Sequence, residues 1–248
     1  MGAAMLDAIL STKSRSDFDM HTYISMAHRY MFHAVGKAAN SSVKAMLYER
    51  EIAGTFVRAV PSVHDRNMSP LISPYQLHAD DLERVLTGEE FFRFTFVRNP
   101  YSRLLSCYLD RIKAHSTRPY KELIRAMGRK QGYEPTFEEF VRTICTQTSK
   151  QQNNHWRVQA DDAMTSVVDY HMVGRQESFA ADFVRIHMRI FGAPPAEGAV
   201  DVNASPSSTS AAQRLAEYWT DDLVALVRKR YAADFDVFGY SPDLARTA

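Results

Sequence analysis

Cysteine is scarce: Cys107 and Cys145 are the only two in 248 residues. Neither belongs to a CxxC pair or to any cluster with metal-ligand spacing, which points away from a disulfide framework and from a zinc site. An excess of charge of one sign is missing as well, since 30 basic and 29 acidic side chains leave a net +1. No global field therefore recruits nucleic acid or an anionic membrane, and any anion has to be bound locally. No uncharged apolar run approaches the roughly 18 residues of a membrane span. The opening stretch MGAAMLDAILSTKSRSDFDM is charged from Asp7 onward and lacks the apolar core of a secretory signal. Leu6 stands where a myristoylation signal would carry Ser or Thr. Sequence repeats are also absent. These absences predict a protein of a reducing cytoplasm with no integral membrane segment and no nucleic-acid partner.

What is present suits a single core-forming domain over residues 1–248: 45% of the residues are hydrophobic and 24% charged. Residues 30–35 (YMFHAV) form a short apolar and aromatic run ending at Gly36, as a strand would, and 41–51 have helical composition. Residues 91–97 (FFRFTFV) read as a buried strand. Asn99-Pro100 then supplies a cap and first helical position for a helix to about Lys113. Thr136-Phe-Glu-Glu has capping-box spacing and opens a helix through Thr143. Residues 167–173 (VVDYHMV) are a third strand candidate, stopped by Gly174 and followed by a helix over 178–191. The Pro- and Gly-bearing stretch 192–210 is a loop, and Thr220, with Asp221 and Asp222 behind it, caps a last helix to about Tyr231. This alternation predicts an α/β fold with a central parallel sheet flanked by helices.

Two segments carry chemistry. In HAVGKAANSSVKAML (33–47) a strand passes through a small-residue turn into a helix. The small residues Gly36, Ala38 and Ala39 let backbone amides approach an anion, Lys37 adds a full charge, and Ser41 and Ser42 add hydroxyl donors at the helix start. The segment reads as a phosphate cradle, although a plain strand-to-helix turn would look similar. It is not a Walker A loop, because Ala38 follows Lys37 where Ser or Thr would hold magnesium, which disfavours a nucleoside triphosphatase or kinase. In FRFTFVRNPYSRLLSCYLDRIK (92–113), Arg98 ends a strand, and Ser106 lies one helical turn beyond Ser102 on the same face. An arginine fork and a helix hydroxyl together suit a second phosphate.

The second segment resembles the 3′-phosphate-binding motif of sulfotransferases that use 3′-phosphoadenosine-5′-phosphosulfate (PAPS). It is most similar to the carbohydrate sulfotransferase family of chondroitin, dermatan and HNK-type enzymes and bacterial relatives. Phe96, Val97, Arg98, Asn99, Pro100, Arg103, Leu104, Ser106 and Tyr108 match the pattern F-V-R-(D/N)-P followed by R-L-x-S-x-Y. Lys37 stands where the family keeps the lysine of its 5′-phosphosulfate motif. His155-Trp156 with Gln159, the segment YHMVGRQESFAADF, VNAS at 202–205 and the terminal YAADFDVFGY look like further family segments, covering about 30–240. The chain departs from most Golgi members, which carry a signal-anchor, a stem and extra cysteines.

The resemblance implies a nucleotide-kinase-like sulfotransferase fold and PAPS as co-substrate, with no metal. It implies that Lys37 neutralises charge on the leaving phosphate, that Ala38, Ala39, Asn40, Ser41 and Ser42 hold the 5′-phosphate, and that Arg98 and Ser106 hold the 3′-phosphate. The acceptor is expected to be a hydroxyl, and the resemblance favours a glycan; a non-carbohydrate metabolite, or a nucleotide-binding module without turnover, are the competing readings. A base must take the hydroxyl proton. Among nine histidines, His155 leads because it sits in a matched segment, followed by His78 and His64. Trp156 reads as core or pocket wall ahead of a sugar-stacking platform, the cationic stretch 113–130 with Arg118, Lys121, Arg125 and Arg129 as a solvated helix face ahead of a site for an anionic glycan, and the C-terminal segment as packing. A bacterial cytoplasmic enzyme is the expected setting.

Overall fold

A computed structural model describes residues 2–57, 59–196 and 209–246. In chain order its elements are α1 (Gly2–Thr12), α2 (Arg15–His21), β1 (Thr22–Ser25), β2 (Tyr30–His33), α3 (Asn40–Ile52), α4 (Ala79–Thr87), β3 (Phe92–Val97), α5 (Pro100–Cys107), α6 (Arg118–Ala126), α7 (Phe137–Cys145), α8 (Gln159–Asp162), β4 (Met172–Arg175), α9 (Phe179–Phe191), α10 (Leu215–Tyr218), α11 (Asp221–Arg230) and α12 (Ala232–Phe238). The four strands make one sheet in the order β1-β2-β3-β4. β2, β3 and β4 run parallel, with Phe32 opposite Phe94 and Phe96 opposite Gly174.

Side-chain alternation along the strands explains why helices cover both faces. Tyr23, Tyr30, Phe32, Phe94 and Phe96 point into the larger apolar cluster with α3, α5, α7 and α11, whereas Ile24 and Met31 point the other way, toward Leu82, Val85 and Leu86 of α4. An aromatic ladder runs across the first face: the Tyr23 and Phe32 rings are 6.0 Å apart, and Phe32 and Phe94 5.1 Å, both stacked. Stacked cross-strand pairs of this kind add to the stability of the register.

Three sequence-based expectations need correction. The sheet is not wholly parallel, because β1 forms an antiparallel hairpin with β2; the polar N-terminal segment hides this short edge strand. The third strand is Met172–Arg175, not 167–173. Val167 and Val168 instead donate their backbone N–H groups to the Met164 carbonyl in a turn, and Val168 is buried in the smaller apolar cluster. Gly174 does not stop the strand but lies inside it, because a Cβ there would meet the Phe96 ring at 2.5 Å. The helix starts at Asn99, Thr136 and Thr220 form as expected: Asn99 Oδ1 accepts from the N–H groups of Tyr101 and Ser102, Thr136 and Glu139 close a capping box, and Thr220 caps α11. The segment 202–205 lies outside the described residues.

Candidate active site

The parallel strands all end at one edge of the sheet, and the residues that follow β2, β3 and β4 converge there, as ligand-binding residues do in α/β sheets. Together they line a cleft of about 380 Å³.

The turn after β2 is held in an unusual backbone conformation. Lys37 and Ala39 have φ of 68° and 58°, left-handed values that non-glycine residues adopt only under constraint. Ala39, the N-cap of α3, makes no side-chain cap, which leaves the first amides of the helix free to meet an anion. Two devices impose the turn. Asn40 Nδ2 donates to the Val35 carbonyl at 2.7 Å. Arg103 of α5, wholly buried, donates to the carbonyls of Gly36 (2.8 Å), Arg157 (2.7 Å) and Asn154 (3.0 Å), pinning the turn against the 154–157 loop. The approach is so close that a Cβ on Gly36 would meet the Asn154 oxygen at 2.6 Å. Arg103, which the sequence offers only as a pattern match, thus shapes the turn from behind.

Lys37 reaches across the cleft to Asp110 at 2.6 Å. Burial lowers the lysine's pKa while the Asp110 carboxylate opposes that shift. Asp110 belongs to a π-helical turn, Tyr108–Ile112, that continues α5, and such turns recur at functional sites.

Arg98 follows β3 and is buried, with Nε donating to Ser102 Oγ at 3.1 Å. Burial brings its pKa down to about 10, so the guanidinium remains charged at neutral pH. Its backbone is locked by Gln159, which accepts from the Arg98 N–H (2.9 Å) and donates to its carbonyl (2.8 Å). Gln159 is held in turn by Asp234 at 3.2 Å, and Glu177 joins the neighbouring Asn99 N–H (2.7 Å) to the Tyr240 hydroxyl (3.0 Å). The C-terminal segment therefore packs, as expected, and what it packs is the Arg98 loop. Ser106 also lines the cleft, its hydroxyl accepting from Thr209 at 3.1 Å.

Of the residues singled out from sequence, Lys37, Ala39, Asn40, Ser41, Ser42, Arg98, Ser106, His64 and His155 line this one cleft, while Ala38 is buried beneath it. His64 is exposed at its mouth, with Nε2 3.3 Å from the Ser41 hydroxyl. His155 lies deeper, and burial followed by the positive charges of Arg111 and Lys37 pushes its pKa well below 6.5. His78 does not join them: it is an exposed N-cap residue of α4 and is not part of the cleft lining. Trp156 is core, 1% exposed, with its indole N–H on Gln147 at 2.9 Å. Arg118, Lys121, Arg125 and Arg129 are exposed.

Several cleft residues were not singled out from sequence. Lys44, one turn beyond Asn40, and Arg111 both line the cleft, and helical spacing from the cradle could have found Lys44. Burial brings the Lys44 pKa to about 8. Asp110, the partner of Lys37 and not itself in the lining, continues the row Ser102–Ser106, and His21 lines the cleft with Nε2 accepting from Asn154 Nδ2 at 2.9 Å. Among the described residues the lining holds four cations, Lys37, Lys44, Arg98 and Arg111, and no carboxylate. That composition fits a ligand with several anionic groups.

Comparison with known proteins gives the family. A family model described as "Sulfotransferase family" matches residues 20–241. Carbohydrate sulfotransferase 14 of Mus musculus is 27% identical over 241 residues, covering 92% of this chain and 62% of the relative. The Danio rerio protein of that name is 27% identical over 195 residues, 75% of this chain and 52% of the relative, and carbohydrate sulfotransferase 10 of Danio rerio is 26% identical over 182 residues, 64% and 49%. The chain thus spans about half to three-fifths of the length of these curated relatives. No solved structure matches it. With the family match running from the end of α2 past α12, through the Lys37 turn and the Arg98 loop alike, the chain belongs to the sulfotransferase family.

Proposed function

We propose that the chain transfers the sulfuryl group of PAPS to a hydroxyl of an acceptor, a carbohydrate by analogy with the names of its relatives. One observation carries the reading: the Lys37–Ser42 turn and the Arg98/Ser106 pair, which suit two separate phosphates, line a single cleft with four cations and no carboxylate among its described residues. The turn then works as a phosphate-binding loop of the nucleotide-kinase kind, with its amides and the Ser41 and Ser42 hydroxyls on the 5′-phosphate, and Arg98 and Ser106 on the 3′-phosphate.

In the transfer the acceptor oxygen bonds to sulfur as the bond from sulfur to the bridging phosphate oxygen breaks, in line. Charge builds on the departing phosphate. Lys37, released from Asp110, meets that charge, and a preformed cation in a partly desolvated cleft acts there more strongly than it would in water. The hydroxyl proton goes to His155, whose neutral form is favoured by burial and by neighbouring cations. A reducing cytoplasm as the place of action accompanies the proposal and rests on the low cysteine content.

The test is transfer of labelled sulfate from PAPS to a panel of polysaccharides, oligosaccharides and small hydroxyl compounds, paired with calorimetry of adenosine 3′,5′-bisphosphate. Binding without transfer to any acceptor would favour a nucleotide-binding module instead. Absence of binding would sink the reading altogether.

A further inference from the structure

Behind His155 runs a chain of hydrogen bonds that leaves the cleft. The His155 ring donates from Nδ1 to Asn153 Oδ1 at 2.8 Å, and the His155 backbone N–H donates to the same oxygen at 3.0 Å. Asn153 Nδ2 donates to Glu122 Oε2 of α6 at 2.6 Å. The other Glu122 oxygen accepts from Arg118 Nε at 2.7 Å. Each link fixes the next. A carboxylate only accepts, so Glu122 obliges Asn153 to present its NH₂ on that side and its carbonyl oxygen toward the histidine. A carbonyl oxygen only accepts, so the ring carries its proton on Nδ1 and keeps the lone pair on Nε2.

We propose that Asn153 and Glu122 are positioning residues for the transfer reaction, holding neutral His155 in the Nδ1–H tautomer so that Nε2 is the atom that receives the acceptor's proton. The inference rests on the sulfotransferase reading above and deepens it by naming the proton-accepting atom and the groups that set it. The same arrangement of base and orienting group underlies nucleophile activation on unrelated folds, where the third group governs tautomer without entering the chemistry. An amide suits this cleft better than a carboxylate at the Asn153 position. The charged and titratable groups around the ring are Arg111, Lys37, His21 and Arg103, and a neutral orienting group leaves their positive charge free to keep the imidazole unprotonated. The acid of the chain is placed one residue further back, outside the cleft lining and paired with Arg118.

The experiment is ¹⁵N NMR of the imidazole nitrogens, assigned by comparison with His155→Gln, together with steady-state kinetics on the full chain. Wild-type protein is expected to show His155 neutral and protonated at Nδ1. Asn153→Ala and Glu122→Ala should shift it toward the Nε2–H form favoured by free imidazole. In both variants kcat should fall on the order of 10- to 100-fold, part of the 10² to 10⁴ that general-base catalysis supplies. The Kd for adenosine 3′,5′-bisphosphate should change by less than about twofold, because neither residue lines the cleft. Glu122→Gln keeps an acceptor oxygen for Asn153 and should restore the Nδ1–H tautomer. Because Asn153 Oδ1 also accepts the His155 backbone N–H, the Glu122 pair keeps the test sound if Asn153→Ala does not fold. An Nε2–H tautomer in the wild type, or no tautomer change in the Glu122→Ala protein, overturns the proposal. Absence of transfer by a folded wild type would count against the sulfotransferase reading, and the tautomer result would still decide the role of the chain.

Discussion

Lys37 and Asp110 meet at 2.6 Å across the mouth of the turn, one from a residue with left-handed backbone and the other from a π-helical turn. The pair places the lysine where it can exchange a carboxylate for a phosphate. Lys37→Ala should lower kcat on the order of 10² or more while leaving the melting temperature near that of the wild type, since the charge acts mainly on the transition state. Asp110→Asn should tighten adenosine 3′,5′-bisphosphate binding several-fold, because it removes the negative charge competing for the lysine. Wild-type turnover in folded Lys37→Ala protein, or weaker nucleotide binding in Asp110→Asn, contradicts these roles.

Arg98 should discriminate between nucleotides. Arg98→Ala is expected to weaken adenosine 3′,5′-bisphosphate by about 2–4 kcal/mol, the range for losing a desolvated charge-assisted contact, and adenosine 5′-phosphate much less. Calorimetry giving equal losses for both ligands would remove Arg98 from the 3′ site.

The turn around Gly36 leaves no room for a methyl group. In Gly36→Ala the new Cβ would meet Asn154 O at 2.6 Å and His155 Cα at 2.9 Å, both parts of backbone that Arg103 clamps. The expected cost is about 1–3 kcal/mol of stability. A larger loss is expected in nucleotide affinity, because the 154–157 loop and the cradle shift together. Unchanged affinity measured by calorimetry would show that the close approach does not matter to the site.

These residues also show what could be read from the chain alone. The Lys37 turn and the Arg98 loop were legible because each follows an apolar aromatic strand and opens a helix, so both were expected at strand ends, the place where a parallel sheet gathers its ligand groups. Helix starts at Asn99, Thr136 and Thr220 were legible because caps are local chemistry. His78 falls outside the cleft because it is the exposed N-cap residue of α4, a placement that its residue type does not disclose. Asp110, Glu122 and Asn153 were not singled out for a related reason: they act through contacts between elements 31 to 73 residues apart, which no periodicity encodes. The hairpin strand β1 was hidden because it is itself a short edge strand and its flanks are polar.

Both thiols are free, Cys107 buried on α5 and Cys145 partly buried at the end of α7, and burial pushes each up to about 12. Dithiothreitol should therefore leave melting temperature and activity unchanged. Iodoacetamide at pH 8 should modify the native protein far more slowly than the unfolded chain, since the thiolate is the reactive form. A drop in melting temperature on reduction would reveal a disulfide that this structure does not contain.

A cluster of buried charges lies where α1 and α2 meet the chain around α8. Lys13 and Asp162 are 0% and 1% exposed and 3.3 Å apart, and Arg157 joins Asp162 at 2.9 Å and Asp17 at 2.7 Å. Burial alone would raise the Asp162 pKa, but Lys13 and Arg157 outweigh it and hold the carboxyl well below the ordinary range. An acid with a depressed folded pKa contributes stability that is fully present above its unfolded value. That contribution should be lost as pH falls below about 4. His33 is buried between Lys13 Nζ (3.1 Å) and the Thr22 hydroxyl (2.9 Å) and is held neutral by burial. Its dependence has the same sign but begins higher, below about 6.5, where the unfolded imidazole takes up a proton that the folded one refuses. Asp162→Asn should cost about 3–5 kcal/mol at neutral pH, because it leaves the Lys13 ammonium buried beside a neutral amide. The same substitution should flatten the stability curve below about pH 4 while leaving the histidine part in place. Urea titrations of both proteins from neutral to acid pH supply the comparison. Parallel curves down to the lowest pH would mean that the carboxylate does not tie the N-terminal helices to the rest of the fold.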